Sequence, residues 1–367
     1  MNYQLLFNKL RYPLVLKLHM VRKNNTILRP LLAKWLDIKE PLLDFKSISL
    51  ILLILVAIGS FVYVNFIQLA YKSSANMACP FPANPEKVHG QVILTPTSTE
   101  SIYDCSSQDV IIASDAEVIV GSYVNGDGSI TGDYGAEIVF KNLTIEPGGI
   151  LHANGMGYKP GESDGGVGNA TASTDNVGGS GGGYGGAGGE GASNGLILPG
   201  QTGQVYGNAY IPNLLGGAGG NSTTGIAGSG GGAIKLNVSE NLLLNGTISA
   251  NGTNGSINTD NTATGGGGAG GSIWINVGTL AGTGSIQTRG GNANSATYQG
   301  GGGGGGRAMV VCQSGITFTG TASVSGGAGA QEGQVGSLIG PGCIPNIPSV
   351  SRVYEGNGVN TRQVPFE

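Results

Sequence analysis

The chain is poor in the residues that chemistry usually needs. Only 11% of its 367 residues are charged, 6% are aromatic, and three are histidine. From Gly265 to Gly305 there is no Asp or Glu. Glycoside hydrolysis generally uses two carboxylates held about 5–10 Å apart on a rigid face. Glu240 is alone in its own repeat, Gly230–Gly252, and Arg289 and Arg307 have no acidic neighbour in sequence. No CxxC or paired histidine suggests zinc. No GxSxG with triad partners and no P-loop is present, and the GxGxxG matches follow from glycine content, since none follows a strand and opens a helix. His89 and His152 are the only histidines after residue 72, and His152 reads as a turn residue in GGILHANG rather than as a base.

Glycine is itself nearly missing before position 120, where only Gly59 and Gly90 occur; the other 68 follow. Charge divides the same way. Residues 1–46 hold nine Lys/Arg against three Asp/Glu, and the remainder holds nine against nineteen. The net charge of −4 hides a basic leader and an acidic remainder, and the acidic part argues against a nucleic-acid partner. The leader is leucine-rich and cut by Pro13, Pro30 and Pro41. It suits either a cytoplasmic tail lying on the anionic leaflet or a tail without a partner. Ser47–Tyr71 has no charged residue, and its 25 residues exceed the roughly 20 that span a bilayer. The preceding cations predict a cytoplasmic N-terminus and an extracytoplasmic C-terminal domain. Ser73-Ser-Ala75 has the small residues of a cleavage site, but a 46-residue leader is long for a signal peptide, so an uncleaved, single-pass signal anchor is expected.

What is abundant is a repeat. Gly265–Gly291 has counterparts in Gly230–Gly252 and Gly305–Gly327, with a looser copy in Gly135–Gly155. Ala233, Ser272 and Ala308 are read as equivalent places, 39 and 36 residues apart, and self-similarity at this period marks a stacked-repeat architecture. Ala233–Val238 and Ser272–Val277 alternate apolar and polar, which predicts strands. Ile234, Leu236 and Val238 should lie over Ile273, Ile275 and Val277, then Met309 and Val311. The other face would carry Lys235, Trp274 and Val310. Second strands recur at Gly246-Thr-Ile-Ser, Gly284-Ser-Ile-Gln and Gly320-Thr-Ala-Ser, with a third short strand between the first and second. Equivalent strands run parallel, and a coil of two or three strands supplies the return.

The expected fold is therefore all-β: a short right-handed parallel β-helix, or solenoid, with glycine-rich loops, preceded by one transmembrane α-helix. Four coils would rise roughly 20 Å. The expected organisation is a cytoplasmic tail (1–46), the membrane span (47–71) and a linker with N-terminal cap (72–117). The solenoid (118–345), with an insertion at 156–227, and a C-terminal tail (346–367) follow. Gly178–Gly191 and Gly300–Gly306 exceed what strand corners need. Flexible coil is the ordinary expectation for such runs, and packed extended glycine helices are the alternative.

Four cysteines, Cys79, Cys105, Cys312 and Cys343, follow the span, and an even number in an oxidising compartment predicts disulfides. Of three connectivities, Cys79–Cys105 with Cys312–Cys343 would tie down each end of the repeats. Sequons begin at Asn142, Asn169, Asn221, Asn237, Asn245, Asn251 and Asn254, as candidate N-glycan acceptors or as a product of composition. Asn125, Asp127 and Asp133 place oxygens in a turn that suits calcium, without the full loop of an EF-hand; no other cofactor is implied. Trp274, with Tyr298, Tyr184 and Tyr206 in loops, offers rings for a carbohydrate.

Glycine runs followed by Ser272-Ile-Trp-Ile or Ala233-Ile-Lys-Leu strands and Gly-rich turns resemble the glycine-rich parallel β-helix domains of cell-surface proteins, akin in shape to pectate-lyase-like solenoids. The resemblance covers roughly 118–345 and lies at the level of fold. It implies either a polysaccharide-cleaving protein or an adhesin or structural surface protein, and no catalytic residue of the lyases has a counterpart here. The glycine runs are also similar to polyglycine-helix bundles of some receptor and tail-fibre domains. The expected function is an adhesive, recognition or structural role at the cell envelope, with carbohydrate or a surface protein as partner. A membrane-anchored polysaccharide-active protein and a subunit of a surface assembly are the alternatives.

Overall fold

A computed structural model describes residues 76–162, 171, 177–193, 195, 199–257 and 262–340. The chain divides into two compact units, Met1–Ser73 and Ser74–Glu367. The expected cytoplasmic tail, the membrane span, Asn169, Cys343 and the 346–367 tail all lie outside the described residues. Among the described residues no helix is long and apolar enough to cross a membrane.

The described part is all-β, with its strands in two parallel sheets. The first is built in spatial order from β1 (Met77–Ala78), β3 (Ile102–Ile112), β5 (Ala136–Ile145), β7 (Ala233–Leu244), β9 (Ser272–Gly282), β11 (Arg307–Cys312) and β14 (Ser337–Ile339), with β12 (Ile316–Phe318) also on β9. The second runs β13 (Thr321–Ser323), β10 (Ser285–Gln287), β8 (Thr247–Ser249), β6 (Ile150–His152), β4 (Glu117–Val120) and β2 (Gln91–Leu94). Every pairing between these strands is parallel, and each short strand of the second sheet follows a strand of the first along the chain. The expected N-terminal cap therefore contributes strands to both sheets, which begin well before Val118.

Alternation decides what is buried. Ile138, Leu236, Ile275 and Val310 sit in successive strands of the first sheet; Leu151, Ile248 and Ile286 do so in the second. Together they form one apolar core. The β11 register corrects the sequence expectation. Arg307 pairs with Ser272, and Val310 with Ile275, so Val310 is buried while Met309 and Val311 fall in the outward rows with Trp274 and Asn276. A shift of one residue moves every side chain of a strand to the other face. The expected alignment set Ala308 against Ser272; the true equivalent is Arg307, which follows the glycine run directly as Ser272 does. The second strands pair as expected, Ser285 with Thr247 on one side and with Thr321 on the other. The expected third strand is fused to the first across an irregularity at Phe140–Leu143 and Val238–Asn241, and is separate only as β12.

The glycine runs are not flexible loops. In Gly301–Gly306 each N–H donates to a different neighbour with a period of three: Gly301 and Gly304 to Gly179 and Gly182, Gly302 and Gly305 to Gln331 and Gln334, Gly303 and Gly306 to Gly291 and Thr288. Its carbonyls accept in the same rhythm from Gly267 and Gly270, from Gly189 and Gly186, and from Gly327. Three residues per turn without internal hydrogen bonds describes an extended threefold helix. A backbone hedged in on all sides leaves no room for Cβ: at Gly303 it would meet the carbonyl oxygen of Gly268. The requirement is for space, the same reason that only glycine fits the axis of collagen. Segments of the 156–227 region are interleaved with the later runs, as in the bonds from Gly182 to Gly267 and from Gly266 to Gly220.

Candidate functional site

A bundle of glycine helices offers no side chains along its length, so its chemistry lies where the helices turn. Each run leaves the end of a second-sheet strand, turns, and returns to the start of the next first-sheet strand. The turns gather at one end. Thr264 donates its N–H to the Tyr298 carbonyl at 3.1 Å, and Tyr298 its own to the Thr262 carbonyl at 2.9 Å. Ser256 donates to the Ile226 carbonyl at 2.7 Å, and Ala293 to that of Ala328 at 2.8 Å. Thr264 is buried; its hydroxyl accepts from the Gly300 N–H at 2.6 Å and donates to the Asn294 carbonyl at 3.2 Å. The segments 221–226, 253–257, 262–263, 292–299 and 328–332 thus meet at an apex, closed by backbone bonds. Ile226 is 67% exposed there. Tyr298 is half-buried, and its hydroxyl makes no hydrogen bond with the described residues.

Trp274 lies elsewhere. Ser272 lies eight positions after Thr264, about 25 Å of threefold helix, so the structure does not bring Trp274 and Tyr298 together. Trp274 stands in an outward row of the first sheet with Glu137, Lys235 and Met309. Lys235 Nζ sits over the indole, 4.8 Å from its centroid, and 3.0 Å from Glu137 Oε2. One face of the indole is thereby occupied, and the row is laterally packed.

Tyr184 and Tyr206 are buried and cannot receive a sugar. Their rings lie 4.9 Å apart, and the guanidinium of Arg307 lies over the Tyr184 ring, 5.2 Å from its centroid. Arg307 is fully buried, donates to Ser337 Oγ at 3.1 Å and to the Tyr206 carbonyl at 2.8 Å, and leaves Nε unpartnered. Burial pushes both phenols up and the guanidinium down. Tyr184 bonds Ser272 Oγ at 2.7 Å, and Ser272 donates to the Leu214 carbonyl. Every group here faces inward, clamping the bundle to the sheet.

The Asn125–Asp133 turn spends its carboxylates on its own groups and on Tyr158. Asp133 is buried, and accepts from the Asn125 N–H at 2.8 Å and the Tyr158 hydroxyl at 2.8 Å. Asp127 accepts from Ser129 N–H and from Asn125 Nδ2. Among the described residues no three His, Cys, Asp or Glu side chains converge.

Sequence reasoning missed one meeting. Asn142 Nδ2 donates to Asp109 Oδ1 at 2.8 Å and to Glu240 Oε2 at 2.9 Å. Two acceptors on one nitrogen stand roughly 5 Å apart, so Glu240 is not alone. Three strands supply these residues, 98 and 33 positions apart in sequence, and no local pattern marks them. His152 ends β6; its Nε2 lies 3.1 Å from Glu117 Oε1 and its Nδ1 accepts from the Asn154 N–H. Hydrogen bonds from Gln91 and then His152 hold the Glu117 carboxyl below its usual range.

The six sequon asparagines among the described residues hold structural hydrogen bonds. Asn245 Oδ1 accepts from Thr283 N–H, Asn251 from Arg289 and Asn254 from Asn292, each 38 positions on. Asn142 does the same for Asn241, Asn221 binds Ala227 N–H, and Asn237 binds Glu137. Cys79 and Cys105 form the expected disulfide. Cys312 is also disulfide-bonded, with a partner outside the described residues.

Comparison with protein families, with curated proteins and with solved structures finds no match to this chain.

Proposed function

We propose that the protein is a membrane-anchored, extracytoplasmic recognition module whose apical loops are its binding surface. On this reading Ser47–Tyr71 is the anchor, and the two sheets are faces of one right-handed parallel β-helix. Alternation of strands between the sheets along the chain supports the latter. The observation that carries the functional reading is the hydrogen-bonded glycine bundle ending in loops closed by Thr264. Glycine loses more freedom on folding than any other residue, and rigid scaffolds with loops at one end characteristically serve binding.

The test is attachment of beads coated with the full chain to candidate target surfaces. Replacing the Asn294–Thr297 side chains with Ala and Ser should reduce attachment at least tenfold while thermal unfolding stays unchanged. Attachment that survives this change excludes the apex. The Asp109–Glu240 pair favours a second reading, because its spacing falls near the separation typical of retaining glycosidases. Release of reducing ends from a polysaccharide, lost in Asp109→Asn and in Glu240→Gln, would make this an enzyme.

A further inference from the structure

We infer that the apex recognises an uncharged glycan; this rests on the apical reading above and specifies its ligand. The apex has a tyrosine, Tyr298, whose hydroxyl makes no hydrogen bond with the described residues, an aliphatic side chain 67% exposed at Ile226, and a surround of Asn, Ser and Thr. Between residues 163 and 340 the only cations are Lys235, Arg289 and Arg307. Lys235 is on β7, Arg307 is buried at the start of β11, and Arg289 stands two residues after β10. No Lys or Arg lies in any apical segment. Glu190 and Glu332, by contrast, are exposed on its flank, joined through the bond from Gln331 N–H to the Glu190 carbonyl, and neither forms an ion pair among the described residues.

That balance repels polyanions: uronates, sulfated glycans, phosphate headgroups and nucleic acids all need cations. A protein partner generally needs an apolar centre of several large side chains, and the apex offers Ile226 and Tyr298. A sugar ring needs less. A tyrosine ring supplies one apolar plane with a polar tip, amides and hydroxyls both donate and accept, and carboxylates accept from hydroxyls. Backbone closure of the loops removes part of the ordering cost that weakens binding by mobile loops.

The experiment uses the full chain in detergent micelles on immobilised neutral polysaccharides (dextran, mannan, galactan), on polygalacturonate and on heparin. Retention should be at least tenfold greater on one neutral polymer than on either polyanion, and insensitive to salt. Tyr298→Ala and Ile226→Ser should each reduce it at least tenfold, and Trp274→Ala should leave it unchanged. Retention on polyanions alone, or neutral retention indifferent to both apical changes, overturns the inference. Failure to retain any glycan also overturns it, and the bead assay then separates the two readings. Apex-dependent attachment to periodate-oxidised cells means a protein ligand, and no apex-dependent attachment means that the recognition reading itself fails.

Discussion

Ser272 and Arg307 pair directly across β9 and β11, and both reach the same tyrosine: Ser272 Oγ bonds the Tyr184 hydroxyl and the Arg307 guanidinium lies over the Tyr184 ring. Two successive repeats thus place a hydroxyl and a cation at one position, and the glycine bundle closes on both. Replacing Arg307 by Ala would orphan the Tyr206 carbonyl and Ser337 and open a cavity. The expected loss is about 3–5 kcal/mol. Arg307→Lys should fall between, because an ammonium cannot span Ser337 and Tyr206 as a planar fork does. Urea midpoints of the three proteins check the order; equal midpoints for Ala and wild type would remove the clamp.

Glycines of equal rank in sequence differ sharply in what they tolerate. Gly303 lies in the middle of the bundle, where an added methyl falls on the Gly268 carbonyl. Gly303→Ala should cost at least about 3 kcal/mol, at the upper end of overpacking. Gly121→Ala is the control, since its Cβ would stand 3.1 Å from the Leu94 carbonyl, and a change within about 1 kcal/mol is expected. Similar costs at both positions would show that the bundle yields.

Strand type, parallel pairing and the Cys79–Cys105 bond were legible because each rests on a local signal: alternation, period and cysteine count. Alternation left the register at β11 open, since Ala308, Met309, Val310 and Val311 are all apolar; the end of the glycine run at Gly306, equivalent to Gly271, is the mark that decides it. Bundle formation was hidden. Coil and threefold helix have the same composition, and the choice is made by hydrogen bonds between segments far apart, such as Gly179 with Thr264. Tyr298 was legible as an aromatic among small residues. Its neighbours at the apex were not, because Ile226 and Tyr298, 72 positions apart, are brought to the Thr264–Gly265 turn only by the fold.

Buried phenols give the fold an alkaline limit. Burial raises Tyr184 and raises Tyr206 well above the usual value. Above pH 10 the unfolded chain loses these protons while the folded chain keeps them, so the unfolded state binds fewer protons and stability falls as pH rises. Each phenol contributes about 1.4 kcal/mol per pH unit in that window. Arg307, held down by burial, acts in the opposite sense, but its usual value lies above the window. Chemical denaturation between pH 9 and pH 11.5 should show the decline, and Tyr206→Phe should make it shallower. An unchanged slope in that variant would assign the decline to other groups.

The Cys79–Cys105 bond closes 26 residues at the N-terminal end, where β1 pairs with β3. Chain entropy alone gives about 3.5 kcal/mol for a loop of that length. Replacing both cysteines by Ser should lower stability by about that amount and release amide protection first in β1 and β2, the outermost strands. Hydrogen exchange with mass spectrometry resolves the order, and loss beginning at β14 instead would move the weak end to the other side of the sheets.

Asparagine ladders predict a sharper distinction. Asn251 Oδ1 accepts the Arg289 N–H at 2.7 Å, and that bond needs only an acceptor. Asn251→Ala leaves the Arg289 N–H without its partner and should cost about 1–2 kcal/mol. Asn251→Asp keeps the oxygen and gives up only the long contact of Nδ2 with Gln287 at 3.5 Å, so its stability should stay within about 0.5 kcal/mol of wild type. Both changes abolish the sequon equally. If a glycan at Asn251 were the stabilising element, the two variants would be equally damaged in a glycosylating host. If the ladder is, only Ala is, whatever the host.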